Sequence, residues 1–167
     1  MVVTLLANER TDAVVLHKKA RSYLRSAHYL KASNPSISYS HAGVTFLFCH
    51  AIELFLLAYL RGQGGDISEL NKSNCRVAAT TSKAIELGLK LHPEALGTLT
   101  QLADTVIALE VHYILTGVKQ IPTIDPLSNA AQNLDAAVSK ALVELGLPVP
   151  EKAYHTSLRD DGTPRVF

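Results

Sequence analysis

The feature that most constrains this chain is an apolar segment of nineteen residues, 42–60, which reads AGVTFLFCHAIELFLLAYL. A helix of this length could cross a bilayer or form the buried centre of a helical bundle. Its strongly polar residues are His50 and Glu53, and a carboxylate near the centre of a membrane helix costs about 3 kcal/mol on insertion scales. The neighbouring segments are amphipathic and need this helix as their core. We therefore expect a buried central helix and no membrane contact.

Four further segments show apolar residues at the spacings of three and four that are typical of helices. They are expected at about residues 13–30, 76–90, 93–116 and 126–145. Thr11 and Asp12 are expected to cap the first of these helices, and Asp125 is expected to cap the last, with Pro126 as its first residue. No strand-like alternation competes with this pattern. The sequence therefore predicts an all-α, antiparallel bundle of about five helices.

The domain boundary is predicted from the loss of this periodicity. Residues 1–146 are expected to form the helical bundle. Residues 147–167 contain three prolines and no apolar repeat, so they are expected to form an extended or flexible tail.

Composition and charge exclude several classes of protein. With 47% hydrophobic and 19% charged residues the chain can bury a sizeable core, which excludes a disordered protein. A net charge of +1 excludes a wholesale polyanion binder, so any nucleic-acid contact must come from a local patch. The two cysteines, Cys49 and Cys75, cannot form a disulfide framework, which favours a reducing cytoplasm. The glycines at 62, 64 and 65 follow a helix and not a strand, so no nucleotide-binding loop and no cofactor are predicted.

A local basic patch is present on the first helix. Residues 13–52 contain five cations and no acid. The candidates for nucleic-acid contact are Lys18, Arg21 and Arg25, which lie with His28 on one side at spacings of three, four and three. Two alternatives are a solvated face whose acidic partners come from another helix, and a surface for an acidic protein.

A second candidate site lies in the central helix. His50 and Glu53 are three residues apart and share one helical face, and His112 is a possible partner from the fourth helix. A buried carboxylate needs such a partner. The leading interpretation is a hydrogen-bonded cluster that fixes helix register. The alternatives are a small-molecule pocket with an acid–base role and a metal site around Glu53.

Residues 50–61, HAIELFLLAYLR, and the glycine turn after them resemble the second helix of HEPN-type domains. Residues 84–89 and 112–117 resemble later segments of that superfamily, and the resemblance covers about residues 12–146. HEPN-type domains are small all-α bundles, often dimeric, and often encoded beside nucleotidyltransferases or toxin–antitoxin partners. The resemblance implies a HEPN-like homodimer.

The ribonuclease members of that superfamily carry an arginine followed four to six residues later by a histidine. Residues 105–111, which precede His112, contain no arginine. We therefore expect a non-catalytic binding module whose partner is a protein, a nucleic acid or a nucleotide. The second hypothesis is a metal-independent ribonuclease that uses Arg21 or Arg25 with His28, and the third is the pocket around Glu53.

Overall fold

The computed structural model describes residues 2–33, 40–65, 76–104 and 122–149. In these ranges the regular structure consists of helices only, which confirms the predicted all-α bundle. The five helices are α1 (Val2–Ser33), α2 (Ser40–Gly62), α3 (Arg76–Glu86), α4 (Pro93–Asp104) and α5 (Ile124–Glu144). α2 packs against α1, α3 and α5, while α4 contacts α3 and α5.

The central position of α2 follows from its apolar sequence. Its large side chains are almost completely buried, among them Phe48, Ile52, Phe55, Leu56 and Leu60. Within the described residues, α2 alone is long and apolar enough to cross a membrane, and more than half of that stretch is buried inside the bundle. A buried core helix meets the same length and composition test. The expected burial of this helix is confirmed.

α5 covers one side of α2 with the apolar face that its periodicity predicts. Its buried apolar residues are Leu127, Ala130, Ala131, Leu134, Val138 and Leu142. The C-terminal end of α2 approaches α5 so closely that a Cβ atom at Gly62 would lie 2.6 Å from Cδ2 of Leu142. Only glycine fits this approach without a shift of the neighbouring leucine.

Three helices end in the same glycine turn. Gly64, Gly88 and Gly146 have φ angles of 82°, 94° and 73°, in the left-handed region that favours glycine. In each turn the following N–H bonds to the carbonyl five residues earlier, as from Leu89 to Ala84 at 2.9 Å. This is the Schellman motif, and it satisfies carbonyls at the end of the helix.

Several predicted boundaries are wrong. α1 begins at Val2, so Thr11 and Asp12 lie inside the helix and do not cap it. Residues 2–10 contain neither proline nor glycine, and nothing in them stops the helix. α3 ends at Glu86 and not near residue 90, because the turn at Gly88 closes it.

The start of α5 also differs from the prediction. Its N-cap is Thr123, whose side chain makes no capping hydrogen bond. Asp125 lies in the first turn instead, where a carboxylate interacts favourably with the helix dipole. Pro126 is within the same turn, where its missing N–H costs little.

The chain stays packed beyond the predicted domain boundary at residue 146. Leu147 is 8% exposed and belongs to the core, and Val149 packs against it. The rest of the predicted tail, residues 150–167, lies outside the described residues. So does the predicted extension of the fourth helix over residues 105–116.

Candidate functional site

Three ionisable side chains are buried together between α1 and α5. His17 and Arg21 of α1 are 0% and 7% exposed, and Asp135 of α5 is 2% exposed. Arg21 Nε donates a hydrogen bond of 2.8 Å to Asp135 Oδ1, and His17 Nε2 lies 3.1 Å from the same oxygen. With Ser139, one turn later on α5, these residues form what we call the α1–α5 cluster.

Ser139 completes the cluster. Its Oγ lies 3.0 Å from His17 Nε2 and accepts a hydrogen bond of 3.0 Å from Arg21 Nη2. The same hydroxyl donates to the main-chain carbonyl of Asp135. Arg21 therefore contacts both polar residues that α5 places in this junction.

The electrostatics of the cluster favour an ionised carboxylate. Burial by itself raises the pKa of Asp135, but hydrogen bonds from His17 and Arg21, together with the charge of Arg21, lower it to about 2. The carboxylate is charged at neutral pH and is neutralised by the guanidinium beside it. This pairing is what allows two charged groups to lie in the core.

The residue types of the cluster match a serine–histidine–aspartate triad, but the geometry does not. In a triad the aspartate binds one imidazole nitrogen and the serine binds the other. Here Asp135 and Ser139 both contact Nε2 of His17, and Nδ1 is buried without a hydrogen-bond partner in the described part of the chain. Because an ionised carboxylate only accepts, Nε2 carries the proton and cannot take one from Ser139. The cluster is a structural junction and not a nucleophilic site.

The predicted basic side of α1 is divided between core and solvent. Arg21 points inward to Asp135, whereas Lys18 and Arg25 are exposed. Neither Lys18 nor Arg25 forms an ion pair within the described residues. Burial of Arg21 removes it from any surface that could contact a phosphate backbone, so its predicted grouping with Lys18 and Arg25 does not occur.

The residues that are exposed on one side of α1 differ from the predicted set. Lys18, Ser22, Arg25 and Tyr29 are all exposed, at spacings of four, three and four residues. At 100° per residue these four positions fall within about 60° around the helix axis. We call this set the exposed α1 stripe.

His28, predicted as a ribonuclease residue, faces inward. Its ring meets Phe48 edge to face with the ring centres 5.2 Å apart. Its Nε2 accepts a hydrogen bond of 3.2 Å from the Gln132 amide. Burial, followed by the nearby charge of Lys31, lowers the pKa of His28. The structure does not bring His28 and Arg21 to one shared position, since each contacts a different residue of α5.

His50 and Glu53 are half-buried, with Nδ1 and Oε2 3.6 Å apart. The His50 ring stacks on Phe46 with ring centres 5.7 Å apart and meets Tyr23 edge to face at 4.5 Å. His112, the predicted third member, lies outside the described residues. In the part of the chain that the structure describes, no group of three or more histidine, cysteine or acidic residues is placed to hold a metal ion.

Cys49, beside His50, is a free thiol. Burial, followed by the charge of Glu53, raises the pKa of the Cys49 thiol to about 12. Since the thiolate is the nucleophile, this cysteine is unreactive at neutral pH. Cys75 lies outside the described residues.

The sequence carries a signal for the α1–α5 cluster in the apolar faces of the two helices and not in the pattern of surface charges. Asp135 follows Ala131 by four residues and precedes Val138 by three, so it interrupts the apolar face of α5. An acidic residue at such a position must find a buried partner. His17 similarly follows Ala13 by four residues on the buried side of α1.

No protein-family model, no curated protein and no solved structure matches this chain. Its function must therefore be inferred from the positions and chemistry of its own side chains.

Proposed function

We propose that this protein is a non-catalytic, HEPN-like helical module that binds nucleic acid through the exposed α1 stripe. The observation that carries the proposal is that Lys18 and Arg25 are exposed on one side of α1 without acidic partners among the described residues. Two other cations of this helix have acids supplied by α5: Arg21 pairs with Asp135, and Lys31 pairs with Asp125. Lys19 is exposed as well and has no ion pair among the described residues, but it lies about 100° from Lys18 around the helix axis and so outside the stripe. Among the described side chains of α1, the stripe is the place where two such cations share one side of the helix.

The spacing of the two cations suits a polyanion. Lys18 and Arg25 are seven residues apart, which is about 10.5 Å along a helix. Two cations fixed at such an interval can neutralise two phosphates and release their counterions, and this release drives binding. Because the net charge of the whole chain is only +1, the proposed contact with phosphates is confined to the stripe and does not extend over the whole surface.

The described side chains favour binding over catalysis. Arg21 is held by Asp135, Nε2 of His28 is held by Gln132, and Ser139 donates its proton to a main-chain carbonyl. A ribonuclease needs a proton-transfer group that is within reach of a bound phosphodiester. His28, the acid–base group of the ribonuclease hypothesis, already accepts a hydrogen bond from Gln132, which disfavours that role.

The HEPN-like resemblance supports a homodimer and a partner of the nucleotidyltransferase or toxin–antitoxin kind. Exposed apolar side chains provide surface that a second copy would cover, and they include Ile85, Leu87, Leu96 and Val143. Light scattering of the purified protein should give about twice 18.1 kDa. A monomer at micromolar concentration would contradict the dimer and leave the binding proposal intact.

The binding proposal is tested by titrating labelled RNA and DNA with the protein over a series of salt concentrations. Affinity should fall steeply with salt, and Lys18→Ala and Arg25→Ala should each weaken binding and reduce the salt slope by about one. Lys90→Ala is the matched control, because Lys90 is exposed in the turn before α4. It should bind like the wild type. Absence of binding at low salt would overturn the proposal in favour of a protein partner.

The non-catalytic part has its own test. Wild-type protein incubated with generic RNA should leave the RNA intact. Cleavage by the wild type that is lost in His28→Ala would instead support the ribonuclease hypothesis, because proton transfer contributes about 10²–10⁴-fold to rate and little to ground-state affinity.

A further inference from the structure

The exposed α1 stripe ends in an aromatic residue. Tyr29 is 49% exposed and lies four residues, or about 6 Å, beyond Arg25 along the helix. It falls between Lys18 and Ser22 in angle around the helix axis, so its ring is on the same side as the two cations. The stripe therefore combines positive charge with an exposed aromatic side chain.

The surroundings of Tyr29 leave the ring accessible. Apart from Arg25, the residues three or four positions from it on α1 are small, namely Ser26, Ala32 and Ser33. Ser33 donates its hydroxyl proton to the main-chain carbonyl of Tyr29 at 2.8 Å and so stays close to the backbone. Beside these neighbours Tyr29 remains 49% exposed.

Tyr29 differs in this respect from the tyrosine in the core. Tyr59 is 2% exposed, and its hydroxyl donates a hydrogen bond of 2.8 Å to the carbonyl of Leu87. Burial raises the pKa of that phenol. Tyr59 holds α2 against the end of α3, whereas the Tyr29 side chain joins no helices of the bundle through a described hydrogen bond. Because Tyr29 is half-exposed and makes no such hydrogen bond between helices, its ring is available for a ligand.

An exposed aromatic ring beside cations distinguishes two forms of nucleic acid. Unpaired bases can stack on an aromatic side chain, while the bases of a duplex are already stacked on each other inside it. Lysine and arginine contact the phosphates of either form. The aromatic ring therefore adds affinity for a single strand and adds little for a duplex.

We propose that the exposed α1 stripe binds single-stranded nucleic acid, with Tyr29 as the platform on which an unpaired base stacks and Lys18 and Arg25 as the phosphate contacts. This inference rests on the proposed function, because it assigns the ligand form of that same surface. RNA and DNA single strands share the required chemistry.

The test compares four labelled probes by fluorescence anisotropy at low salt: a single-stranded RNA, a single-stranded DNA of the same sequence, and the duplex of each with its complement. Tyr29→Ala should weaken binding of the single strands by about 5- to 150-fold, which is the loss of one base–aromatic stack. Tyr29→Phe keeps the ring and should bind like the wild type. Val15→Ala is the matched control, since Val15 is an exposed apolar residue on the same side of α1. It should not change binding.

The outcomes of this experiment distinguish the inference about Tyr29 from the proposed function on which it rests. Duplex affinity equal to single-strand affinity, with no effect of Tyr29→Ala on either, would overturn the inference and leave binding through Lys18 and Arg25 standing. No binding of any probe would overturn both. Weakening by Tyr29→Ala with rescue by Tyr29→Phe supports the inference, and the RNA and DNA arms show which single strand is preferred. Circular dichroism of each variant should match that of the wild type, because Tyr29 is outside the core.

Discussion

Arg21 and Arg25 lie one turn apart on the same helix and have opposite environments. Arg21 is buried against Asp135 and Ser139 of α5, whereas Arg25 is exposed and has no ion pair among the described residues. The residue type is the same, so the difference comes from what the neighbouring helix supplies. A cation on a helix surface becomes structural where another helix brings an acid to it, and it stays available to a ligand where none does.

The buried side of α1 gains specificity from this arrangement. Replacing a buried ion pair by apolar residues is often neutral for stability, but removal of one partner leaves an uncompensated charge in the core. The α1–α5 cluster therefore fixes how α1 sits on α5, since any other register would leave Arg21 or Asp135 unpaired. The exposed side carries no such constraint. Substitutions on the two sides of α1 test this contrast.

Asp135→Ala should lower the free energy of unfolding by about 3–5 kcal/mol, because it leaves the Arg21 guanidinium buried without its carboxylate. Urea denaturation at neutral pH followed by circular dichroism measures the loss. Asp125→Ala is the control, since Asp125 pairs with Lys31 at the surface with its side chain 80% exposed. That change should lower the unfolding midpoint far less, because it removes only an exposed ion pair and a surface contact with the helix dipole. An equally small effect of Asp135→Ala would show that the buried pair does not hold the two helices.

The contribution of Asp135 should also disappear in acid. Its pKa is about 2 in the folded chain against an ordinary value of 3.8, so the folded state binds this proton less readily than the unfolded state. The stabilisation is therefore present above pH 4 and is lost as the pH falls towards 2. The stability difference between wild type and Asp135→Asn should shrink over that interval. A constant difference would contradict the assigned role of the carboxylate.

Ser139→Ala should cost about 1.5–3 kcal/mol, the typical contribution of a hydrogen bond to a charged group. The variant removes the oxygen that Arg21 Nη2 contacts but keeps the pair with Asp135. Urea denaturation measures this loss as well. The loss should be clearly smaller than that of Asp135→Ala, and a larger one would mean that the hydroxyl and not the carboxylate organises the cluster.

Arg25→Ala and Lys18→Ala should change the free energy of unfolding by less than about 0.5 kcal/mol, as surface substitutions usually do. Thermal unfolding monitored by circular dichroism measures both variants beside the wild type. A marked destabilisation by either variant would show that the exposed α1 stripe supports the fold. The two surface cations would then resemble Arg21 in having a structural role.

The class of fold and the core helix could be predicted from the sequence because both depend on local patterns. The apolar run of residues 42–60 has amphipathic neighbours that need it as their core, and α5 shows its buried face in the spacing of Leu127, Leu134 and Val138. The start of α1 could not be predicted in this way. Thr11 and Asp12 are good capping residues, but they cap only where the preceding backbone leaves the helix. Residues 2–10, which precede them, contain nothing that forces the backbone out of the helical conformation.

The α1–α5 cluster could not be predicted from local sequence patterns, for a different reason. Arg21 and Asp135 are 114 residues apart in the chain, and no spacing rule connects positions at that distance. Arg21 lies about 60° from Lys18 around the helix, at the margin between the exposed side and the core. Whether Arg21 is buried or exposed therefore depends on where α5 lies. The partner of Glu53 has the same difficulty, since the predicted contact with His112 also joins two distant helices.

The segment that follows α5 sets a limit on how far this chain can be shortened. Leu147 folds back after the turn at Gly146 to lie near the last residue of α2, where a Cβ atom at Gly62 would be 3.8 Å from its Cδ1. A fragment cut at Gly146 would uncover the end of the core helix beside Gly62. A shortened chain for crystallisation or fusion should therefore extend past the last helical residue and keep Leu147 and Val149, which pack on the core.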